Sequence, residues 1–237
     1  MKLEKTIVDG DLWYIDNFLT EEEIDLFKPY MYDKNEWYVT MRSPYKNVLN
    51  KFIGAEVMLD DEKNVTTIPG PQDKIPEWFY PIFDRIREVL PFGHYPQAAT
   101  LQTFKGMTQQ QAKSLLIPKY QEKYIDKEID FAFDWHYERV PDYNDNIARS
   151  FSVYLNDDFK GGELEFRHKS YKINPKPGRF VSIPVAPEFE HKVAFVDGND
   201  RHTWYGAIFD TEDLAIAGGF IGGQLERIGA GKALKPF

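Results

Sequence analysis

The stretch that decides the fold begins with residues 130–140, which read DFAFDWHYERV. Apolar and polar residues alternate there, as they do in a strand with one buried face. Further short alternating runs follow, and turn residues such as Asn144-Asp145-Asn146 separate them. Seven short strands at this spacing predict a sandwich or barrel, with a jelly roll as the natural candidate. The predicted strands are Asp130–Val140, Ala148–Asn156, Glu163–Phe166, Tyr171–Ile173, Phe180–Val185, His191–Val196 and Arg201–Phe209.

The N-terminal half predicts helices that support these strands. Thr20 and Glu23 have the spacing of a capping box, and they predict a short helix that Pro29 should end. Apolar residues recur at three- and four-residue spacing from Phe79 onward, which predicts an amphipathic helix ending near Pro91. The expected fold class is therefore α+β and mainly β.

We expect a single domain over residues 1–237. Its core spans about 130–210, its supporting region is 1–129, and a glycine-rich tail occupies 215–237. A chain of this length can bury a core without covalent cross-links.

Composition narrows the classes of function. The chain has no cysteine, which excludes disulfides, cysteine-ligated zinc, iron–sulfur clusters and cysteine nucleophiles. Its formal net charge is −9, which argues against nucleic-acid binding as the main activity. No signal peptide or membrane span is apparent in the sequence, so we expect a cytoplasmic protein with no membrane partner.

One strand carries a candidate metal-binding pair. His136 and Glu138 are two residues apart, so on a strand they share a face with Asp134. An H-x-E pair alone is most often an ordinary surface pair. A third ligand from a distant strand would complete the 2-His-1-carboxylate arrangement that holds non-haem Fe(II). His191 can supply that ligand, and Asp134 is a reserve carboxylate.

Six segments in order resemble the 2-oxoglutarate/Fe(II)-dependent dioxygenase superfamily, and most of all its prolyl 4-hydroxylase-like branch. The family order is H-x-D, Tyr-Leu-Asn, Gly-Gly-Glu, Pro-x-x-Gly, a distal His, and Lys or Arg about ten positions later. A weaker similarity to the family's N-terminal entry covers residues 15–22. The corresponding segments here are His136-x-Glu138, Tyr154-Leu155-Asn156, Gly161-Gly162-Glu163, Pro175-Lys176-Pro177-Gly178, His191 and Arg201.

The resemblance implies a double-stranded β-helix and a set of site residues. Arg201 would pair with the distal carboxylate of 2-oxoglutarate, and Tyr154 would donate a hydrogen bond to it. Thr203 is two residues after Arg201 and would share its face on a strand, so we expect it to assist. The implied cofactors are Fe(II), 2-oxoglutarate as cosubstrate and dioxygen, with ascorbate as a candidate reductant. The implied iron ligands are His136, Glu138 and His191.

The implied activity is hydroxylation of a C–H bond, first of all in a prolyl residue of a peptide or protein, with succinate and carbon dioxide as co-products. An oxygenase of a free amino acid or other small molecule would use the same residues. A nucleic-acid demethylase would have two arginines further beyond the distal His, which this chain lacks. A non-catalytic metal-binding jelly roll is the alternative from another class. The sequence leaves the oligomeric state open.

Two departures from the family pattern stand out. The carboxylate ligand is Glu138 where aspartate is usual, and the upstream run 100–104 lacks the usual tyrosine. Residues 105–127 look like an insertion, which would be either a mobile substrate lid or a permanently docked helix.

The remaining histidines fit no metal site. His168 and His202 are expected on the surface, and His94 is expected to be structural.

Overall fold

A computed structural model describes most of the chain. The described residues are 3–33, 37–39, 45, 47–53, 55–59, 65–69, 76–91, 95–138 and 147–210. The predicted glycine-rich tail at 215–237 and His94 lie outside them. In the described ranges, no helix has the length and apolar content needed to cross a membrane.

Four α-helices and sixteen strands are described. The helices are α1 (Glu21–Tyr32), α2 (Phe79–Val89), α3 (Gln109–Leu115) and α4 (Pro118–Tyr124). The strands up to the middle of the chain are β1 (Thr6–Asp9), β2 (Leu12–Ile15), β3 (Tyr38–Val39), β4 (Val48–Phe52), β5 (Ala55–Leu59), β6 (Val65–Pro69), β7 (Tyr95–Phe104) and β8 (Phe131–His136). The later strands are β9 (Ile147–Tyr154), β10 (Phe159–Gly161), β11 (Leu164–Phe166), β12 (Lys172–Ile173), β13 (Phe180–Pro184), β14 (His191–Ala194), β15 (Val196–Gly198) and β16 (Arg201–Phe209).

The strands form two main antiparallel sheets. The larger has eight strands in the order β1-β2-β13-β9-β16-β7-β4-β3, and the smaller has four in the order β12-β11-β14-β8. From β8 onward the chain passes repeatedly between the two sheets: β8, β11, β12 and β14 lie in the smaller sheet, and β9, β13 and β16 lie in the larger. This is the predicted double-stranded β-helix, and the jelly-roll prediction is confirmed.

Each predicted strand is present, with ends that shift by a few residues, while residues 139–140 of the first predicted strand lie outside the described ones. After residue 130, the structure adds the short strand β10 and divides the predicted strand His191–Val196 into β14 and β15. Strands β10 and β15 pair only with each other.

The large sheet separates two cores. Its outer face, which includes Phe151, Phe180 and Trp204, packs against α1 and α2. Its inner face, which includes Phe104 and Tyr154, packs against the small sheet. Because side chains alternate along a strand, one strand supplies both cores. The supporting N-terminal helices are therefore confirmed.

Helix α1 begins as predicted but ends later. The Thr20 hydroxyl accepts from the Glu23 N–H, and the Glu23 carboxylate accepts from the Thr20 N–H. The helix does not end at Pro29 but continues to Tyr32. Proline removes one helical N–H donor, yet burial of Met31 in the core stabilises the extra turn.

The segment 105–127 folds into α3 and α4, which pack on the body of the protein. Ala112, Leu116 and Tyr124 are buried with Phe131 of β8 in a separate apolar cluster. The Tyr45 hydroxyl also donates to the Phe131 carbonyl at 2.5 Å. Of the two sequence-based alternatives, the structure has the docked arrangement.

Candidate metal centre

Two strands of the small sheet bring the predicted histidines together. His136 is the last residue of β8 and His191 is the first of β14, and they are register partners. Their ring centroids lie 4.5 Å apart. Glu138 follows β8, and its Oε1 lies 3.9 Å from His136 Nε2 and 3.8 Å from His191 Nε2. We call these three side chains the metal group, because they could hold one ion.

Backbone carbonyls fix the orientation of both rings. His136 Nδ1 lies 2.7 Å from the Asp134 carbonyl, and His191 Nδ1 lies 3.0 Å from the Phe189 carbonyl. A carbonyl only accepts, so each Nδ1 must carry the proton. In a neutral imidazole, Nε2 then keeps its lone pair, and in both rings Nε2 is the nitrogen nearer the Glu138 carboxylate. Outer hydrogen bonds of this kind orient histidine ligands in metal sites.

The separations within the metal group fit a shared ion. Two ligand atoms bonded to one metal at about 2.0–2.2 Å can lie at most about 4.4 Å apart. The two nitrogen-to-oxygen distances, 3.8 and 3.9 Å, lie below that limit. Two neutral imidazoles and one carboxylate suit divalent iron, and three ligands leave positions for other groups.

Asp134 does not join the metal group. It lines the same cavity, but its carboxylate Oδ1 accepts from the Trp135 N–H at 2.9 Å. Within the described residues, the group that could hold a metal consists of the other three side chains. The structure therefore does not place this reserve ligand with the histidines.

Arg201 lies at the buried end of the cavity. Its side chain is 1% exposed, and its guanidinium lies between the rings of Phe104 and Tyr154, 4.6 and 4.9 Å from their centroids. Nε has no hydrogen-bond partner among the described residues. Burial lowers the pKa of the guanidinium, but an arginine keeps its charge in proteins. A buried cation with an unused donor is suited to bind an anion bidentately.

Tyr154 places a second donor beside Arg201. Its hydroxyl is buried and forms no hydrogen bond of good geometry with any described residue. Burial is the main cause that raises the pKa of the Tyr154 phenol, and the nearby Arg201 only partly offsets it. The phenol is therefore protonated at neutral pH and can donate to an anion.

A glycine makes room for the buried arginine. A Cβ on Gly162 would lie 2.8 Å from Arg201 Cδ and 2.8 Å from Phe159 Cε2. Its φ of +72° also favours glycine. The Gly-Gly-Glu pattern pointed to this position in the sequence, but it did not show that Gly162 leaves room for the Arg201 side chain.

Thr203 shares the inner face of β16 with Arg201, as predicted. It is buried, and its hydroxyl donates to the Gln102 carbonyl at 3.3 Å. Unlike Arg201, neither Thr203 nor Tyr154 is among the residues that line the cavity. The assisting role of Thr203 stays a prediction.

The cavity joins the metal group to Arg201 and has a volume of about 520 Å³. The sequence did not predict several of its lining residues, because they come from strands and helices far apart in the chain. Sheet register explains the largest set: Tyr205 pairs with Thr100 on one side and Ser152 on the other, and all three line the cavity. Further lining residues are Asn50, Gln102, Tyr120, Phe133, Trp135 and Tyr137.

The two histidines expected on the surface differ in their exposure to solvent. The His168 side chain is 60% exposed, as predicted. His202 is 6% exposed, so its surface prediction is wrong. Its Nδ1 lies 2.8 Å from the Thr103 hydroxyl, and its ring contacts Tyr32. The strand pattern alone could not show that α1 covers this side of β16.

Comparison with known proteins gives one family match, and it covers the strands that carry the metal group. Residues 122–208 match the family model of the 2OG-Fe(II) oxygenase superfamily. Among curated protein sequences, none is similar enough to count as a match.

Two solved structures show the similarity in fold. One is viral collagen prolyl hydroxylase from Paramecium bursaria Chlorella virus-1 in its 2OG complex, with TM-score 0.53, 16% identity, and 84% of this chain and 96% of that chain covered. The other is a Trichoplax adhaerens prolyl hydroxylase in complex with a peptide fragment of the hypoxia inducible factor oxygen degradation domain, with TM-score 0.52 and 15% identity. That comparison covers 83% of this chain and 82% of the other.

The family match spans both histidines of the metal group and Arg201, and the fold agrees with it. The cofactors are accordingly Fe(II), 2-oxoglutarate and dioxygen. Residues 122–208 thus belong to the 2OG-Fe(II) oxygenase superfamily, and the fold of the chain is similar to that of prolyl hydroxylases.

Proposed function

We propose that this dioxygenase hydroxylates a prolyl residue in a peptide or protein, with succinate and carbon dioxide as co-products. One observation carries the proposal: the metal group and Arg201 line one cavity, so iron and cosubstrate sites adjoin a common space. When bound, iron and 2-oxoglutarate supply the activation of dioxygen. The protein contributes ligands, an anion anchor and the walls that hold the substrate.

Each site residue then has a stated role. His136, Glu138 and His191 hold the iron through the Nε2 atoms and the carboxylate. Arg201 donates to the distal carboxylate of 2-oxoglutarate at the buried end of the cavity, and the buried Tyr154 hydroxyl beside Arg201 is the second donor. Phe104 stacks on the guanidinium and keeps water from it. No side chain has to act as a general base.

The remaining walls favour a prolyl substrate. The aromatic residues Phe133 and Tyr137 are among those that line the cavity. Proline-rich segments bind grooves lined with aromatic side chains, because their rings are apolar and their backbone is already ordered. Amide and hydroxyl side chains at Gln102 and Ser152 line the same space and could bind peptide groups.

We also propose that residues 1–237 form one domain. The outer face of the large sheet shares a core with α1 and α2, so the N-terminal helices and the strands stabilise each other.

The proposal is tested by measuring carbon dioxide release from 2-oxoglutarate in the presence of candidate substrates. Proline-rich peptides, free amino acids and methylated oligonucleotides are compared at equal concentration. We expect proline-rich peptides to stimulate release most strongly, with one oxygen atom added to a prolyl residue. The His191→Ala variant serves as the iron-site control.

Stimulation by a free amino acid but by no peptide would replace the proposed substrate with a small molecule. Stimulation by methylated oligonucleotides would replace it with a nucleic acid. A well-folded, iron-loaded protein that releases no succinate with any of them would favour a binding module.

A further inference from the structure

The helical insertion carries one side chain into the active-site cavity. Helix α4 packs on β8 through Tyr124, whose ring meets Phe131 edge-on with centroids 5.6 Å apart. One helical turn earlier, Tyr120 stacks on Tyr124 at 6.4 Å. Residues four apart lie on the same face of a helix, so both rings face β8. Only Tyr120 lines the cavity, together with Phe133 and Asp134 of β8.

The burial of α4 gives Tyr120 a defined place. Tyr124 is 7% exposed, and it belongs to the apolar cluster that also contains Ala112 and Leu116. Lys123 lies 4.9 Å from the Tyr124 ring centroid and 6.0 Å from that of Tyr120. These contacts hold the two rings on a docked helix instead of on an unsupported loop.

Tyr120 lies apart from the cosubstrate anchor. Arg201 is 1% exposed and stacked between two rings, so it marks the closed end of the cavity. Tyr120 is half-buried, so part of its ring reaches solvent. A substrate larger than the cosubstrate must approach the iron from the open side. Tyr120 is placed to meet it there.

We propose that Tyr120 is a specificity-determining residue that packs against the prolyl-containing substrate. This inference rests on the proposed prolyl substrate. An aromatic face can cover the apolar pyrrolidine ring, and aromatic side chains are the usual contacts of polyproline segments. The insertion at 105–127 thus contributes to substrate recognition through one side chain of α4.

The test is a binding measurement that needs no turnover. A short oligoproline peptide, which adopts a polyproline II helix, is titrated by calorimetry into the protein loaded with Fe(II) and 2-oxoglutarate without dioxygen. Tyr120→Ala should weaken binding about tenfold, and Tyr120→Phe should bind within about threefold of wild type because the ring remains. Leu115→Ala, at an exposed position of α3 in the same insertion, is the matched control and should bind as wild type does.

Each outcome bears on the inference. Wild-type binding with equal affinity in Tyr120→Ala would overturn the role of Tyr120 and leave the prolyl substrate intact. Equal losses in Tyr120→Ala and Leu115→Ala would show a general effect of the insertion, and would also overturn it. If the wild-type protein does not bind oligoproline, the proposed substrate fails, and the inference fails with it.

Discussion

Replacing Arg201 by methionine distinguishes two roles of this residue: binding the cosubstrate, or only stabilising the fold. Arg201→Met keeps most of the side-chain volume between Phe104 and Tyr154 but removes the charge and its donors. No carboxylate of a described residue pairs with Arg201 within salt-bridge distance. An anchor should therefore be needed for 2-oxoglutarate binding but not for the stability of the empty protein.

The expected magnitudes follow from that burial. Losing one partner of a buried charge pair costs about 3–5 kcal/mol, which is at least about a hundredfold in affinity. We expect 2-oxoglutarate binding to weaken by that factor in Arg201→Met, while iron affinity changes little. Replacing a buried charge by an apolar side chain of similar size is often neutral or stabilising, so the free energy of unfolding should fall by no more than about 1 kcal/mol.

Two measurements check this. Calorimetric titration of the iron-loaded protein with 2-oxoglutarate, without dioxygen, gives the affinity, and urea unfolding of the empty protein gives the stability. Arg87→Met, at a surface position of α2, is the control for loss of a positive charge. Unchanged 2-oxoglutarate affinity, together with a loss of several kcal/mol in stability, would show that Arg201 is structural and does not bind the cosubstrate.

Alanine at any position of the metal group should abolish 2-oxoglutarate turnover and sharply lower iron affinity, with an unchanged circular dichroism spectrum; full turnover in His191→Ala would contradict the assignment. Tyr154→Phe should weaken 2-oxoglutarate binding by about 1 kcal/mol, or roughly fivefold, by the same titration, and an unchanged affinity would remove the phenol from the site. Burial lowers the pKa of His202 below its usual 6.5, so below that pH the unfolded chain binds a proton more readily than the folded protein does. The free energy of unfolding should therefore fall as the pH drops below about 6.5. Urea unfolding should show a smaller pH dependence of that free energy in His202→Gln, and an equal dependence in both proteins would contradict this. Amides of α3 and α4 should exchange slowly without substrate, because the helices are docked; fast exchange that slows on adding peptide would restore the lid.

Local sequence patterns were enough to predict the strands, helix α2 and the pairing of His136 with Glu138. Alternation located the strands, and the three- to four-residue spacing of Phe79 and its apolar partners located α2. The H-x-E spacing placed His136 and Glu138 together, because neighbouring positions on one strand face have a fixed relation. The order of the motifs then added His191 and Arg201, which no spacing within one strand could have joined.

Long-range pairing determines what the sequence did not predict. Phe104 stacks on Arg201 because β7 pairs with β16, with Phe104 opposite Arg201. His202 is buried because α1 brings Tyr32 over it. Pro29 remains within α1 because the core beyond it favours another turn. In each case tertiary packing outweighs a local preference, which a single sequence does not show.

The most direct test of the account couples cosubstrate decay to prolyl hydroxylation in one reaction. Iron-loaded protein is mixed with 2-oxoglutarate, dioxygen and a proline-rich peptide that stimulates decarboxylation, and succinate and peptide mass are followed together. The account predicts about one succinate for each oxygen atom gained by a prolyl residue, with both products lost in His191→Ala. Oxygen gained by the peptide without succinate, or in equal amount with His191→Ala, would contradict it.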